Sequence, residues 1–432
     1  MQQTTARPSL FANRDFSLLF GGSSISALGD QFTLVALPWL VLKLTGNPAA
    51  LGLVLAVMAL PRALFILIGG ALVDRMSPRR VLLGSRAVNA ALITVLAVLV
   101  WSGAIQMWMV YVLACGIGLA TAFMYPASTA ILPQLVSFEQ LRAANATFMG
   151  MRQLCMFVGP GLAGLVISLG AHRAGASGLV DATGMGFAFS VDAVSFLFSL
   201  GSLMLVRVAG DHRPPSKEGG VLTDVVKGMR NIWADRSLRA FILYAGVVSV
   251  FVAGPIQVGL PVLADTRLDL GAAALGVLMT ANGGGIVIGS VLSGLAIRLA
   301  RGRVGIMVLC MDCGAGLVIL ALTLVHATLA GAVLLGLAGL LAGIAQVAIF
   351  TWVQQRVPQA MMGRTMSVLL FTFMGLAPIS AAVAGALLKV VSLGALFAGA
   401  GVLLSVIALL CLANPHLRAI GHARQDAATV AS

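Results

Sequence analysis

Charge is what this sequence has least of: Asp, Glu, Lys and Arg make up 9% of its 432 residues, while 59% are hydrophobic. With a mean hydropathy of +1.03, the chain has too few charges to cover a soluble globule of its size, so it must face lipid. It also lacks the alternating segments of about ten residues that build a transmembrane β-barrel. Apolar runs of about 20 residues stand in their place, and in lipid such runs satisfy their own backbone only as helices.

Other absences narrow the function. No nucleotide-binding glycine loop, metal-ligand cluster or nucleophile–base pair is visible, so neither an enzyme nor an ATP-driven pump is expected, and no cofactor. The polar first residues carry Arg7 and Arg14 but no small-residue cleavage site, so the first helix is expected to stay as a signal anchor. All five cysteines, Cys115, Cys155, Cys310, Cys313 and Cys411, lie in apolar runs and read as small hydrophobes without disulfides. Cys310-x-x-Cys313 has the spacing of a redox or metal pair, but no partner cluster accompanies it.

A net charge of +13 raises the question of nucleic acid, and the position of the basic residues answers it. Lys43, Arg173, Arg267 and Lys389 fall on one side of the spans and Arg62 and Arg152 fall within them. The rest gather on the other side, as expected of cytoplasmic loops and not of a DNA footprint. Both termini are therefore expected in the cytoplasm and the protein in the inner, or cell, membrane.

Twelve spans are predicted: 16–44, 49–73, 81–100, 107–124, 141–169, 186–206, 240–263, 273–297, 304–325, 329–350, 365–390 and 393–412. They group as an N-terminal segment 1–15, a six-helix bundle 16–206, a cytoplasmic linker 207–239, a second bundle 240–412 and a tail 413–432 expected to be disordered. LPQLVSFEQLRAANATF after the fourth span is answered by VQQRVPQAMMGRTMSVL after the tenth, which supports two repeated halves. Within the linker, VVKGMRNIWADRSLR reads either as an amphipathic helix on the anionic inner leaflet or as a solvated connection.

The stretch GALVDRMSPRR, Gly70 to Arg80, is read as a loop between the second and third spans. Its arginines suit a cytoplasmic loop; Asp74 calls for a further reason, and an anion beside cations can lock a loop to a neighbouring helix end. The stretch resembles the signature G-x-L-x-D-R-x-G-R-R of the major facilitator superfamily at Gly70, Leu72, Asp74, Arg75 and Arg79, with Ser77 and Pro78 where the pattern turns on glycine. The resemblance covers residues 12 to 412. It implies twelve helices in two pseudo-symmetric six-helix bundles, a central site and alternating access, with Gly70, Asp74, Arg75 and Arg79 as a conformational lock.

Ionisable side chains inside a span cost roughly 2.5 to 3.5 kcal/mol each on insertion scales, so each needs a reason. Five such side chains stand well inside the spans, Asp30, Arg62, Arg152 and Asp192 in the first half and Asp312 in the second. At about 1.5 Å per residue, Asp30 lies roughly 21 Å, Arg62 about 18 Å and Arg152 about 16 Å from the inner surface. Acids and arginines at one depth neutralise each other, and protonating an acid breaks that balance, which is a means of proton coupling. Each is also readable as a buried pair that fixes packing, and Asp192 as an acceptor for Ser190 and Ser195.

The run DQFTLVALPWL from Asp30 resembles the acidic first helix of drug-exporting members, and Gly159-Pro160-Gly161-Leu162-Ala163-Gly164 resembles their G-P-x-x-G-G antiporter motif. Pro160 removes a backbone donor, and the small residues permit close helix approach. Gly375 to Pro378 and Gly385 echo it in the eleventh span. Such exporters often carry an arginine four residues before a glycine in helix 4; here that position is Val112, ahead of Gly116, and Arg152 is the candidate replacement. Gln31, Asn89, Gln257, Asn282, Gln346 and Phe371 are candidate cavity residues, set among methionines and aromatics that suit varied amphipathic ligands. The resemblance implies a monomeric, proton-coupled exporter of a drug, macrolide or siderophore, in contact with protons, membrane lipids and a small-molecule substrate. A lysophospholipid flippase of the same fold and a transport-inactive sensor or scaffold remain as alternatives.

Overall fold

The computed structural model describes residues 10–75, 77–171, 181–207 and 232–421; the side chains of 66–75, 125, 171, 359–360, 363–364, 367, 370 and 374 lie outside that description. Among the described residues everything regular is helix, and eleven helices are long and apolar enough to cross a membrane. In the first half these are α1 (Arg14–Thr45), α2 (Pro48–Arg75), α3 (Pro78–Trp101), α4 (Met107–Ile131), α5 (Phe138–Ala171) and α6 (Ala182–Leu205). The second half has α7 (Arg236–Arg267), α8 (Ala272–Leu299), α9 (Val304–Ala321) and α10 (Thr328–Arg356). The expected eleventh span is two pieces, α11 (Gln359–Gly375) and α12 (Ala377–Leu387), and α13 (Leu393–Cys411) follows. The break falls at Leu376, two residues before Pro378, whose ring cannot continue the ladder of the preceding turn.

Several boundaries move, each for a local reason. The fourth helix does not stop at Met124: it runs through Pro126 to Ile131, and a single 3-10 turn, Leu132–Gln134, precedes α5, so most of the expected loop is helix. The stretch Gly70–Arg80 is likewise mostly helix, since α2 reaches Arg75 and α3 opens at Pro78 in the favoured first position. The side chains of Gly70, Asp74 and Arg75 lie outside the described residues. Nor is the tail disordered from Asn414. Asn414 caps a short helix α14 (Pro415–Arg418), Leu417 and Ile420 are buried, and the Ile420 carbonyl accepts the Gly305 N–H at 3.0 Å. The expected linker lies largely on residues 208–231, outside the described residues; Ile232 is buried and Trp233 half exposed.

The seventh helix begins four residues before Ala240 because Asp235 caps it, accepting the N–H groups of Ser237 (2.9 Å) and Leu238 (3.1 Å). Arg356, ending α10, donates to the same carboxylate at 2.6 and 3.2 Å. Burial alone would raise the Asp235 carboxyl, but the Arg356 and backbone hydrogen bonds outweigh it and hold it below the usual carboxylate range. A depressed carboxyl contributes stability above its unfolded value and loses it as pH falls through its folded one. Asp235→Ala is therefore expected to cost about 1 to 2 kcal/mol at neutral pH, with the gap to the parent closing in acid. Thermal unfolding of both proteins at several pH values checks this; a gap that persists below the carboxylate range would refute it.

α1 to α6 pack on one another and α7 to α13 on one another. Two seams join these bundles, α5 on α8 and α2 on α12. They are built alike. A Cβ on Gly164 of α5 would lie 2.7 Å from the Ala272 carbonyl oxygen and 2.9 Å from the Gly276 Cα, and one on Gly385 of α12 would lie 2.6 Å from the Pro48 carbonyl oxygen and 3.0 Å from the Gly52 Cα. Only glycine allows backbones so near. Both crossings lie toward the same end of the molecule, one turn into α8 and α2.

Candidate functional site

α1 presents a small-residue seam to α6. Gly22, Ser26, Gly29 and Thr33 recur every three or four residues, so they share one face. Gly29 leaves no room for a side chain against Ser195 and Asp192. Thr33 donates its hydroxyl to the Asp192 carboxylate, and Ser195 donates at 2.7 Å to the Asp192 carbonyl and at 3.3 Å to its carboxylate. Asp192 is fully buried in this seam. Ser195 is thus the expected partner, whereas Ser190 bonds elsewhere, to the Gly186 carbonyl and Trp101; Thr33 had no signal beyond its spacing.

Asp30 turns off that seam. It shares a face of α1 with Ser23, seven residues before it, and is part-buried within electrostatic reach of Arg152 of α5, Arg86 of α3 and Arg62 of α2. Arg62 and Arg152 are within reach of each other too. Four of the five expected ionisable residues are therefore brought together, since Asp192 also senses Asp30. Asp312 is not among them: it lies in the other bundle on α9 and accepts the Tyr244 hydroxyl at 2.6 Å.

Arg86 was missed. By position it falls among the cytoplasmic bases, yet it is 3% exposed and donates to the Ser199 carbonyl (3.1 Å) and the Ser23 hydroxyl (2.7 Å). The available signal was its place five residues inside the third span, on the face that carries Asn89 and Ile93. Arg79 instead donates to the Met204 carbonyl at 2.8 Å, closing the C-terminal end of α6 within the same bundle.

The cavity candidates separate. Gln31 lies across Gly159, filling the space a side chain there would take, while Gln257, Gln346 and Phe371 are exposed. Asn282 is a packing residue, donating to the Leu335 carbonyl at 3.2 Å between α8 and α10. Asn89 is not at a cavity wall: it is 1% exposed inside the first bundle, and neither atom of its amide has a partner among the described residues.

At the end where the two glycine seams close, Lys43 of α1 reaches Asp265 of α7 at 2.7 Å, an ion pair between bundles. Lys43 also lies 4.7 Å over the Trp39 ring, and Trp39, itself 1% exposed, donates to Asp181 at 2.9 Å. Because the pair is partly solvated, its removal is worth about 1 kcal/mol or less. Lys43→Ala is expected to widen the α1–α7 separation at this end about threefold more often, read by spin-label distances, and Lys43→Asp with Asp265→Lys to restore the parent distribution. Unchanged distances in Lys43→Ala would show that the pair holds nothing closed.

A multi-pass helical protein in two bundles, joined at one end and carrying charged side chains at mid-depth, has the build of a membrane transporter and not of an enzyme. The chain belongs to the Major Facilitator Superfamily, whose family model matches residues 19–382. It is 27% identical over 419 residues, 95% of each chain, to the multidrug efflux pump Tap of Mycobacterium tuberculosis. It is 25% identical over 350 residues to the enterobactin exporter EntS of Escherichia coli, covering 81% of this chain and 79% of that one. A crystal structure of a peptide transporter, POT, superposes with a TM-score of 0.73 at 15% identity, covering 94% and 95% of the two chains, which shows the shared fold.

Proposed function

We propose that the chain is a proton-driven exporter of small amphipathic molecules in the inner membrane, with both termini in the cytoplasm and bundles 16–206 and 240–412 rocking about a central site. The observation that carries this reading is that Asp30 lies within electrostatic reach of Arg62, Arg86 and Arg152, which stand on three other helices. With Asp30 ionised, one carboxylate offsets three guanidinium groups; once it takes a proton, Arg62 and Arg152 repel without a counter-charge. These two arginines sit on α2 and α5, the helices that form the seams to the other bundle. A proton at Asp30 thus acts on the helices that close the joined end. By the distribution of basic loops that end is the outer one, so the conformation described is open toward the cytoplasm. Export is supported by the similarity to the multidrug efflux pump Tap and the enterobactin exporter EntS. The signature residues Gly70, Asp74 and Arg75 would lock the cytoplasmic end when it closes in turn.

The test is proton movement in proteoliposomes holding the full chain, with a panel of a macrolide, a cationic dye, a catecholate siderophore and a lysolipid. Proton flux driven by at least one of the first three supports exchange. Ligand movement without proton flux would favour facilitated diffusion or lipid flipping, and silence across the panel would favour a sensor.

A further inference from the structure

Asp312 has no part in the proposed function, and it lies in line with the C-terminal turn of this chain. Gly305, Val308, Leu309, Asp312, Gly316 and Ile319 recur every three or four residues along α9, so they share one face. That face is turned into the bundle, since Cys310 and Leu317 on the other side are exposed. From α7 the Tyr244 hydroxyl crosses to the part-buried Asp312 at 2.6 Å, and Tyr244 itself is 6% exposed. One turn nearer the start of α9, Val308 and Leu309 bound a hollow of about 10 Å³ beside Tyr244, and Leu417 and Ile420 close it from the C-terminal hook, residues 414–421. Such a hollow holds one water molecule at most. The hook is seated by specific contacts: Asn414 accepts the His416 N–H at 2.9 Å, Leu417 and Ile420 turn inward while Arg418 and Ala419 stay exposed, and the Ile420 carbonyl accepts the Gly305 N–H at 3.0 Å. A Cβ on Gly305 would collide with the Leu417 carbonyl. It is the hook that requires glycine there, because alanine is the better residue for the helix.

We infer that the hook is a stopper over a water path to the Tyr244–Asp312 pair, so that the C-terminus controls when Asp312 exchanges its proton. The pair suits such exchange. A tyrosine hydroxyl donates to a carboxylate and accepts from a carboxylic acid, so the link between α7 and α9 holds in both forms. With the stopper lifted, a hydronium in the hollow gives its proton to an Asp312 carboxylate oxygen and leaves as water, and the reverse step returns the proton to water. The other titratable groups facing the pair are Cys313 of α9 and Cys411 of α13. Two inward side chains and one backbone hydrogen bond hold the hook at α9, a unit small enough to open locally while the bundle stays folded. From the proposed function this takes only the orientation, which makes the water cytoplasmic.

The experiment displaces the hook in protein reconstituted in lipid. Gly305→Ala is the main variant, since it evicts the hook yet favours the helix in which it sits. A chain ended at Ala413 is the second, and Gly399→Ala on α13 is the control, because a Cβ there meets nothing within 4 Å. Hydroxyl-radical footprinting reads water contact at Tyr244, with the half-exposed Trp233 as reference. Infrared spectroscopy at acid pH reads hydrogen–deuterium exchange of the protonated Asp312 carboxyl, its band assigned by loss in Asp312→Asn. In the parent, Tyr244 is expected to label far less than Trp233. Displacing the hook should raise Tyr244 labelling and speed Asp312 exchange, each by about tenfold, as loss of local protection does; Gly399→Ala should match the parent. Labelling and exchange that stay at the parent's values in folded Gly305→Ala and in the shortened chain overturn the stopper. More labelling with unchanged exchange overturns the control of the proton, leaving a lid over an inert pair. Because neither readout needs transport, absent proton flux in liposomes would sink the exporter reading and leave this one standing.

Discussion

Asp30→Asn reconstituted in liposomes is expected to show no proton flux above protein-free vesicles, while its unfolding midpoint stays close to the parent's. The substitution keeps the volume of the side chain and removes its charge and its proton, so Arg62 and Arg152 are left as they would be with Asp30 permanently protonated. α2 and α5 would then rest under the same repulsion in every state, and a pH gradient would have no site through which to act. Substrate can still cross such a protein, but only down its own gradient. The folding penalty should be within about 1 kcal/mol, since Asp30 is part-buried and makes no ion pair with a described residue. Proton flux in Asp30→Asn equal to the parent's would move the coupling elsewhere, with Asp192 and its Thr33 hydroxyl the next place to look. Loss of folding instead would mark Asp30 as a structural charge.

The sequence disclosed the membrane class, the two bundles and most helices, because a run of apolar residues in lipid has only one way to satisfy its backbone. It disclosed less where a local rule met a tertiary one. Pro126 argues for a helix end, yet α4 carries it in its interior, since a helix tolerates the lost donor where neighbours cover the turn. Pro378 did interrupt its helix, and no spacing in the sequence separates the two cases. Asp235 was legible in retrospect as a cap, but its pairing with Arg356 joins residues 121 apart in the chain. Arg86 went unread because a base near a span boundary fits the positive-inside pattern equally well. Its burial depends on Ser23 and Ser199, which only the packing of α1, α3 and α6 brings to it. Asn89 likewise reads as a cavity residue until the packing encloses it.

The antiporter-like motif supplies the other large expected effect. Its glycines permit close approach to a partner helix that the sequence does not name; that partner is α8, and the echo at Gly385 meets α2 in the same manner. Gly164→Val would set a branched side chain against the Ala272 carbonyl and the Gly276 Cα, and backbone cannot yield as a flexible side chain can. Overpacking of this kind costs about 1 to 3 kcal/mol, and here the cost falls only on the state in which α5 and α8 touch. A penalty confined to one of two states shifts their ratio by about tenfold for every 1.4 kcal/mol. Gly164→Val is therefore expected to hold the joined end apart, to lengthen spin-label distances between α5 and α8 there, and to lower transport about tenfold or more. Gly385→Val should do the same through α2. Gly201→Val is the control, because nothing lies within 4 Å of a Cβ at that position. Transport by Gly164→Val at the parent's rate would mean that the seam need not close during the cycle, and the glycines would then serve assembly of the bundles alone.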